Sequence, residues 1–291
     1  MIKKTELTEF VLSYLTNSCE TETKLSIGSS WVLLSKEVHN TSLDFKTYEP
    51  VICIIVQGEK EIISSEEVIC VTVGQTIIIT HDIHLQARIK VNEINEPYVA
   101  IIIPIDVEKL RKIAVKMSFQ GKVEQNLTAI NVGNTSYDLE EAVLRYLKLL
   151  NRPQEVNVLA TSILREIYFR VLTSESGSML REILIEDSHA DRIHRAVTYI
   201  KSNYRSDISI DDLIKLVGMS SSSFHTHFKR ITKTTPKKMQ RDLRLMEVRD
   251  RLRVTRETVS ALAFDVGYNS LAHLSKEYKS KFGKSPLQDR I

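Results

Sequence analysis

The side chains best suited to binding a polar partner lie in one short segment, GMSSSSFHTHFKR, at residues 218–230. Ser220 has the type and position of a helix N-cap, because its hydroxyl can accept a hydrogen bond from a backbone N–H one turn later. Apolar residues then recur at helical spacing and predict a buried face: Phe224, Phe228 and Ile231. The opposite face would present only short or hydrogen-bonding side chains: Ser221, Ser222, His225, Thr226 and Lys229. Such a face contacts either water alone or a polar partner.

The pattern of this segment occurs twice within residues 209–291. The apolar residues and glycine of the first copy are Ile210, Leu213, Ile214, Val217 and Gly218, and 49 positions later stand Val259, Leu262, Ala263, Val266 and Gly267. After one extra residue in the turn, Phe224, Phe228, Lys229 and Pro236 correspond to Leu274, Tyr278, Lys279 and Pro286. A short amphipathic helix, a glycine turn and a capped second helix are typical of the helix-turn-helix. The repeat therefore predicts two such motifs, at about 209–231 and 258–282.

A single helix is predicted between the two motifs, in PKKMQRDLRLMEVRDRLRV at 236–254. Nineteen residues at about 1.5 Å each span roughly 28 Å, which is close to one turn of B-DNA, about 34 Å. One chain can then place two second helices in successive major grooves. The connector carries five arginines, Arg241, Arg244, Arg249, Arg251 and Arg253. They either cover a solvated helix or contact phosphates, and the flanking motifs favour some phosphate contacts.

The charge of the chain is divided unevenly along its length. Residues 188–291 hold 21 Lys and Arg against 11 Asp and Glu, a net charge of +10, and residues 1–187 carry −7. This division favours a C-terminal part that binds a polyanion. No run of residues is long and apolar enough for a membrane span, and the start MIKKTELTEF has no apolar signal core, so we expect a cytoplasmic protein without a membrane partner.

The N-terminal half begins with short strands rich in Ile and Val. Runs at 51–56, 67–73, 76–80, 84–89 and 98–103 follow one another with only turns such as QGEK between them, which favours antiparallel pairing in a small barrel able to enclose a ligand. Helices are predicted after Pro104, at 106–117, 137–151 and 153–174. The last has an apolar stripe that packs within the chain or forms a dimer seam: Leu159, Ile163, Ile167 and Val171. SESGS, 174–178, is the best linker candidate.

An enzymatic alternative rests on THDIHLQ at residues 80–86. His81, Asp82 and His84 can ligate a metal on a barrel strand, although the histidine and glutamate pattern of cupin metal sites is absent. No phosphate loop, nucleophile elbow or catalytic carboxylate pair is present either. We expect no metal, no cofactor and no enzyme. Three scattered cysteines predict neither a disulfide framework nor a zinc site, and Cys53 and Cys70 are expected to be buried.

The segments FHTHFKRITKTTPKKMQRDLRLMEVRDRL and AFDVGYNSLAHLSKEYKSKFGKSPLQD resemble the paired helix-turn-helix domain of the AraC family of bacterial transcriptional regulators, over about 190–291. VICIIVQGEKEI, VGQTIIIT, EPYVAIIIPID and REIYFRVLTSESGSMLRE resemble, less sharply, the regulator domain of one branch of that family. The resemblance implies base-facing positions at Ser221, Ser222, His225 and Thr226 and at Ala272, His273, Ser275 and Lys276. Basic residues expected to reach phosphates are Lys229, Arg230 and Lys279.

The resulting prediction is an α+β chain. Residues 1–178 form an N-terminal antiparallel β-barrel, cupin-like and followed by helices, which senses an effector and forms a homodimer. Residues 179–291 form an all-α DNA-binding domain with two helix-turn-helix units joined by a connector helix. The predicted function is that of a sequence-specific, effector-responsive transcriptional regulator, activator or repressor, that binds promoter DNA and RNA polymerase; the alternative is a metal-dependent cupin-type enzyme with an accessory DNA-binding domain.

Overall fold

In the computed structural model the chain forms two compact units, Met1–Asp191 and Arg192–Ile291. The structure describes residues 5–16, 20–63, 67–91, 96–115, 117 and 128–290. Cys19 lies outside these residues. None of the helices within them combines the length and apolar character that a membrane crossing requires.

The first unit contains two antiparallel sheets and flanking helices. Its strands are β1 (Glu22–Ile27), β2 (Ser30–Glu37), β3 (Asp44–Tyr48), β4 (Val51–Gln57), β5 (Glu59–Ile63), β6 (Val68–Thr72), β7 (Gln75–Ile79), β8 (Ile83–Lys90), β9 (Tyr98–Pro104) and β10 (Ile130–Asn134). One sheet has the order β1-β2-β9-β4-β7-β10 and the other the order β3-β8-β5-β6. Its helices are α1 (Glu6–Leu15), α2 (Val107–Ala114), α3 (Tyr137–Lys148), α4 (Pro153–Thr173) and α5 (Ser178–Leu184).

The six-stranded sheet is apolar on both faces because each face has its own cover. On β4, Ile52 and Ile54 belong to the core formed with the helices, whereas Cys53 and Val51 line a cavity that also has residues of the second sheet in its wall. β9 repeats this division, with Ile101 and Ile103 in the helical core and Ile102 in the cavity wall. Side chains alternate across a strand, so a continuous apolar run is required where both faces are buried.

Helices α1, α3 and α4 supply the other half of that core. Three residues of the stripe predicted on α4, Ile163, Ile167 and Val171, are buried within it, and Leu159 is 39% exposed. The stripe therefore packs mainly within its own chain. In SESGS, Ser176 and Gly177 are buried, so this segment is a packed corner and the linker expected there is absent.

The second unit is helical. Its elements are α6 (His189–Asn203), α7 (Ile210–Val217), α8 (Ser221–Thr232), α9 (Pro236–Val254), α10 (Val259–Asp265) and α11 (Leu271–Phe282). Helix α9 has the bounds predicted for the connector, with Pro236 in its first turn and Thr235 as its N-cap. Leu245, Val248 and Leu252 of α9 form one core with α10 and α11.

The predicted fold class is confirmed. No individual run was predicted for β1, β2, β3, β5 or β10, and Cys70 is exposed rather than buried because β6 is a sheet edge.

Candidate DNA-binding surface

A tight turn joins helices α7 and α8, and the residues that cap the two helices account for its geometry. Ser209 caps α7, and Gly218 ends it in the left-handed region at φ 61°. Ser220 then caps α8, its hydroxyl accepting a hydrogen bond from the Ser223 N–H at 3.3 Å. Glycine adopts this backbone conformation without the steric strain that a Cβ brings. The first helix-turn-helix thus has the geometry that its sequence predicts.

The second turn, between α10 and α11, is packed more tightly. Gly267 has φ 92°, and a Cβ added there would lie 2.0 Å from the Arg205 carbonyl oxygen. Arg244 of α9 reinforces the turn, donating to the carbonyl oxygens of Gly267 at 2.9 Å and Tyr204 at 2.6 Å. Ser270 caps α11 through the His273 N–H, at 3.4 Å. This turn is therefore held by the connector helix as well as by its own residues.

The apolar anchors of both second helices are completely buried. Phe224 and Phe228 of α8 stack with ring centroids 5.5 Å apart, and both are inaccessible to solvent. Leu274 and Tyr278 occupy the corresponding positions of α11 and are equally buried. Full burial of an aromatic side chain contributes about 1.5–3 kcal/mol, so these residues fix which face of each helix points outward.

The predicted site residues lie on the outward faces. Nine are exposed: Ser221, Ser222, His225, Thr226, Lys229, Ala272, His273, Lys276 and Lys279. Arg230 and Ser275 are half-buried. The four short polar residues of α8 lie within its first two turns, whereas Lys229 is in its last turn. Helix α8 therefore presents hydrogen-bonding groups at its beginning and positive charge at its end.

Local contacts orient several of these side chains. The Ser222 hydroxyl lies 3.4 Å from that of Ser220, and the His225 ring contacts the Phe224 ring edge-on at 5.6 Å between centroids. Arg230 Nη2 lies 2.9 Å from His227 Nδ1. The half-buried His227 side chain therefore contacts a residue of its own helix, whereas the His225 side chain is exposed.

On α11 a carboxylate stands among the predicted DNA-contacting residues. Glu277 accepts a hydrogen bond from the Tyr268 hydroxyl at 2.5 Å and lies 3.4 Å from His273 Nε2. Burial and this hydrogen bond raise the pKa of Tyr268, so the phenol stays protonated. The side chain of Arg241 lies 3.6 Å from the same carboxylate. Sequence reasoning missed Glu277; its position one turn after His273 is the signal that identifies it.

The connector arginines have intramolecular partners. Besides the two carbonyls already named, Arg244 donates to Ser206 O at 2.8 Å. Arg249, 9% exposed, pairs with Asp289 at 3.1 Å, and Arg251 pairs with Glu247 at 3.2 Å. Arg251 also contacts Glu257 and Asp265, which lowers the pKa of both carboxyls. These three arginines hold the unit together. Arg241 and Arg253 are more exposed, at 42% and 36% of their side chains, and the expectation that some connector arginines contact phosphates stays a prediction.

The histidines of the enzymatic alternative do not converge. His81 is buried with Nδ1 2.9 Å from Thr80 Oγ1, and His84 Nδ1 lies 3.0 Å from Thr47 Oγ1. Among the described residues, the His, Cys, Asp and Glu side chains close enough to share an ion are Glu59, Glu61 and Cys70. Hydrogen bonds from Lys90 and Arg88 lower the pKa of Glu61, whose charge is already compensated.

The first unit encloses a second candidate site, a cavity of about 220 Å³. Strands of both sheets contribute to its wall, with mixed apolar and polar side chains. Among the lining residues are Trp31, Lys46, Tyr48, Cys53, Lys60, Ile77, Ile79, Tyr98 and Ile102. Neither Tyr48 nor Lys60 was predicted as a site residue, and Lys60 belongs to QGEK, which was interpreted as a turn.

Comparison with known proteins supports both parts. Residues 31–179 match the AraC-type transcriptional regulator N-terminus, and residues 213–290 match a helix-turn-helix domain. The raffinose operon transcriptional regulatory protein RafR of Pediococcus pentosaceus is 28% identical over 162 residues, 55% of this chain and 56% of that protein. The HTH-type transcriptional activator RhaS of Escherichia coli is 24% identical over 156 residues, 53% and 55% of the two chains. The chain thus spans about half the length of the curated relatives it matches.

The fold has solved counterparts. The crystal structure of ToxT from Vibrio cholerae with a bound unsaturated fatty acid covers 90% of this chain and 95% of its own, with a TM-score of 0.55 and 12% identity. This likeness concerns the fold alone. The N-terminal family match extends over more than half of the residues, and it coincides with the two-sheet unit that precedes the paired helix-turn-helix motifs. The chain belongs to the family of AraC-type transcriptional regulators.

Proposed function

We propose that this protein is a transcription regulator that binds double-stranded promoter DNA through α8 and α11. The observation that carries the proposal is the duplication: two capped second helices, each anchored by buried residues, present polar outward faces in the basic part of the chain. In helix-turn-helix proteins such faces contact base edges while basic residues contact phosphates. The length of α9, about 28 Å, suits two successive grooves.

Base contacts are assigned to Ser221, Ser222, His225 and Thr226 of α8 and to Ala272, His273, Ser275 and Lys276 of α11. Phosphate contacts are assigned to Lys229, Arg230 and Lys279. Because α8 lacks arginine and glutamine at these positions, water-mediated contacts and DNA shape contribute to its specificity.

The proposed division of labour follows the two predicted domains. Residues 179–291 bind DNA, and residues 1–178 hold a small effector in the cavity between the sheets. RafR is named for a raffinose operon, and the ToxT structure contains a fatty acid. By analogy, we propose that occupancy of the cavity changes DNA binding or activation.

The proposed homodimer forms through helix α4. Most of the α4 stripe is buried, but Val158 is 72% and Leu159 39% exposed, and this edge of α4 is our proposed homodimer contact. A promoter-bound activator would also contact RNA polymerase and act in the cytoplasm. Sedimentation velocity with Val158→Glu, and transcription in vitro with purified polymerase, test these two contacts separately.

The decisive experiment for DNA binding uses the full chain. Genomic fragments selected by the purified protein supply the site, and its affinity is then measured from 50 to 200 mM salt. We expect a loss of about 10³-fold or more, because several phosphates are neutralised. Binding that does not depend on salt, or a selection that yields no DNA fragment, would overturn the proposal that the protein is a transcription regulator. The enzymatic alternative instead predicts stoichiometric metal in the intact protein, measured by elemental analysis.

A further inference from the structure

The cavity of the first unit contains a buried lysine without an anionic partner. Lys60 on β5 is 8% exposed and lines the cavity, with its Nζ 4.9 Å from the centroid of the Tyr48 ring. Among the described residues no carboxylate forms an ion pair with it. The two carboxylates next to it on β5 form ion pairs with cations of β8: Glu59 lies 3.4 Å from Lys90, and Glu61 contacts Lys90 and Arg88.

The groups nearest to Lys60 cannot neutralise it. Burial raises the pKa of the Cys53 thiol and of the Tyr98 phenol, so both are protonated and uncharged. Burial also disfavours the charged ammonium of Lys60, and a buried charge is unfavourable unless an opposite charge approaches it. An anion in the cavity would supply that opposite charge.

A second polar group lies in the same wall. The Tyr48 hydroxyl is buried and has no hydrogen-bond partner of acceptable geometry among the described residues, although it is close enough to Lys60 to interact with it electrostatically. Tyr48 ends β3, where it pairs in register with Ile83 of β8, so its position is set by the four-stranded sheet. An ammonium and a phenol hydroxyl both donate hydrogen bonds. Side by side in one cavity, they form a site for an acceptor that carries negative charge.

The rest of the wall limits what can bear that charge. Ile77, Ile79 and Ile102 make one side apolar, and the exposed carboxylates Glu22 and Glu49 line the cavity together with the exposed cations Lys46 and Arg88. The volume of about 220 Å³ is below the roughly 300–1,000 Å³ of pockets for drug-sized ligands. One buried ammonium beside an apolar side suits a monoanion with a short apolar body.

We propose that this cavity binds a small organic carboxylate, with its anionic oxygens on Lys60 and Tyr48 and its apolar body against Ile77, Ile79 and Ile102. The proposal rests on the proposed effector-responsive function and names the chemical class of the effector. Charge pairing supplies the affinity for the headgroup, because hydrogen bonds between charged groups are about twice as strong as neutral ones. Size selects short-chain or single-ring acids.

The only tryptophan of the chain provides the assay. Trp31 on β2 lines the cavity, so its fluorescence responds to occupancy. The full-length protein is titrated with benzoate and hexanoate and with their neutral counterparts, benzamide and hexanamide. We expect the acids to bind about tenfold or more tightly than the amides, since each amide keeps the shape and loses the charge.

Two variants and one control assign the effect to this site. Lys60→Met should weaken binding of both acids about tenfold or more while leaving the amides unchanged, because it removes the charge and keeps the stem. Tyr48→Phe, which removes one hydroxyl, should weaken them several-fold. Lys46→Met removes an exposed lysine from the same lining and should leave the affinity within about twofold. Thermal unfolding of each variant checks that the fold is kept.

Several results would overturn the carboxylate assignment. Equal binding of acids and amides, acid binding that survives Lys60→Met, or no response to any of the four compounds each contradicts it. DNA affinity measured on the same samples keeps the two proposals apart. A protein that binds DNA but none of the acids remains a regulator with a different effector, and one that binds acids but no DNA loses the regulatory function and keeps the site.

Discussion

The two helix-turn-helix units share one plan but differ in what lies against each turn. The turn before α8 is held by Arg192 of α6, which donates to the Val217 carbonyl oxygen at 2.9 Å and contacts that of Gly218, and the added Cβ at Gly218 would lie 3.0 Å from this flexible side chain. The turn before α11 is held by Arg244 and lies against the Arg205 carbonyl. Both turns are therefore held by an arginine of another helix, and the second is also packed against a backbone oxygen.

The same contrast extends to the outward faces. Helix α8 begins with short neutral side chains, of which Ser222 contacts its own N-cap. Helix α11 has Glu277 beside His273, and that carboxylate also contacts Tyr268 and Arg241. A side chain that already makes a hydrogen bond or ion pair within the protein must give up that interaction before it can bind a base. If both helices bind DNA as proposed, we expect α8 to contribute more to sequence discrimination and α11 more to docking.

The largest expected effect comes from the two turn glycines. Gly267→Ala combines a left-handed backbone with a clash against a backbone oxygen and should lower the free energy of unfolding by about 3–5 kcal/mol. Gly218→Ala should cost about 1–2 kcal/mol, because only a flexible guanidinium must move. Urea denaturation measures both. Gly283→Ala is the control, with φ 75° and open space around its Cβ; equal losses at 218 and 267 would contradict the asymmetry.

The next effect tests the role of the connector arginines. Arg244→Met should destabilise the protein by about 2–3 kcal/mol, since it removes charged donors from several carbonyl oxygens. Arg253→Met is the matched change on the same helix, where the ion pair of Arg253 with Asp289 is long, at 3.9 Å, and the side chain is 36% exposed; it should cost less than about 0.5 kcal/mol. Thermal unfolding of both variants is the measurement. Equal stabilities would show that Arg244 does not position the second turn.

A smaller effect distinguishes the two second helices on DNA. On the selected site, His225→Ala should reduce discrimination against unrelated DNA by about 1 kcal/mol, because the exposed imidazole has no ion pair among the described residues. His273→Ala should reduce it less, as this ring already faces Glu277. Competition binding with specific and random duplexes measures the discrimination. A greater loss at 273 would reverse the assigned roles.

The smallest expected effect is that of the single surface lysines. Lys229→Ala and Lys279→Ala, at equivalent positions of the two helices, should each reduce the slope of log affinity against log salt by about 0.9. Discrimination between sequences should be preserved, because phosphate contacts carry no base information. A slope changed by only one of the two variants would mean that only that helix approaches the backbone.

The regular parts of the fold follow from local sequence, and the cavity does not. Pro236 and the apolar spacing after it predict α9 to the residue, and Ser220 predicts the cap of α8. Lys60 is different, because lysine in a short polar segment indicates a turn, whereas pairing of β5 with β6 and β8 carries it into the cavity wall. The prediction that Cys70 is buried was wrong for the converse reason, since an apolar run cannot show that its strand lies at a sheet edge. Nonlocal strand order decides both.

The central claim is that one chain uses α8 and α11 together on one duplex. Hydroxyl-radical footprinting of the full-length protein on its selected site tests it most directly. We expect two protected segments about 10 base pairs apart, with Gly267→Ala weakening one of them and leaving the other. A single protected segment in the wild-type protein, unchanged by Gly267→Ala, would contradict it.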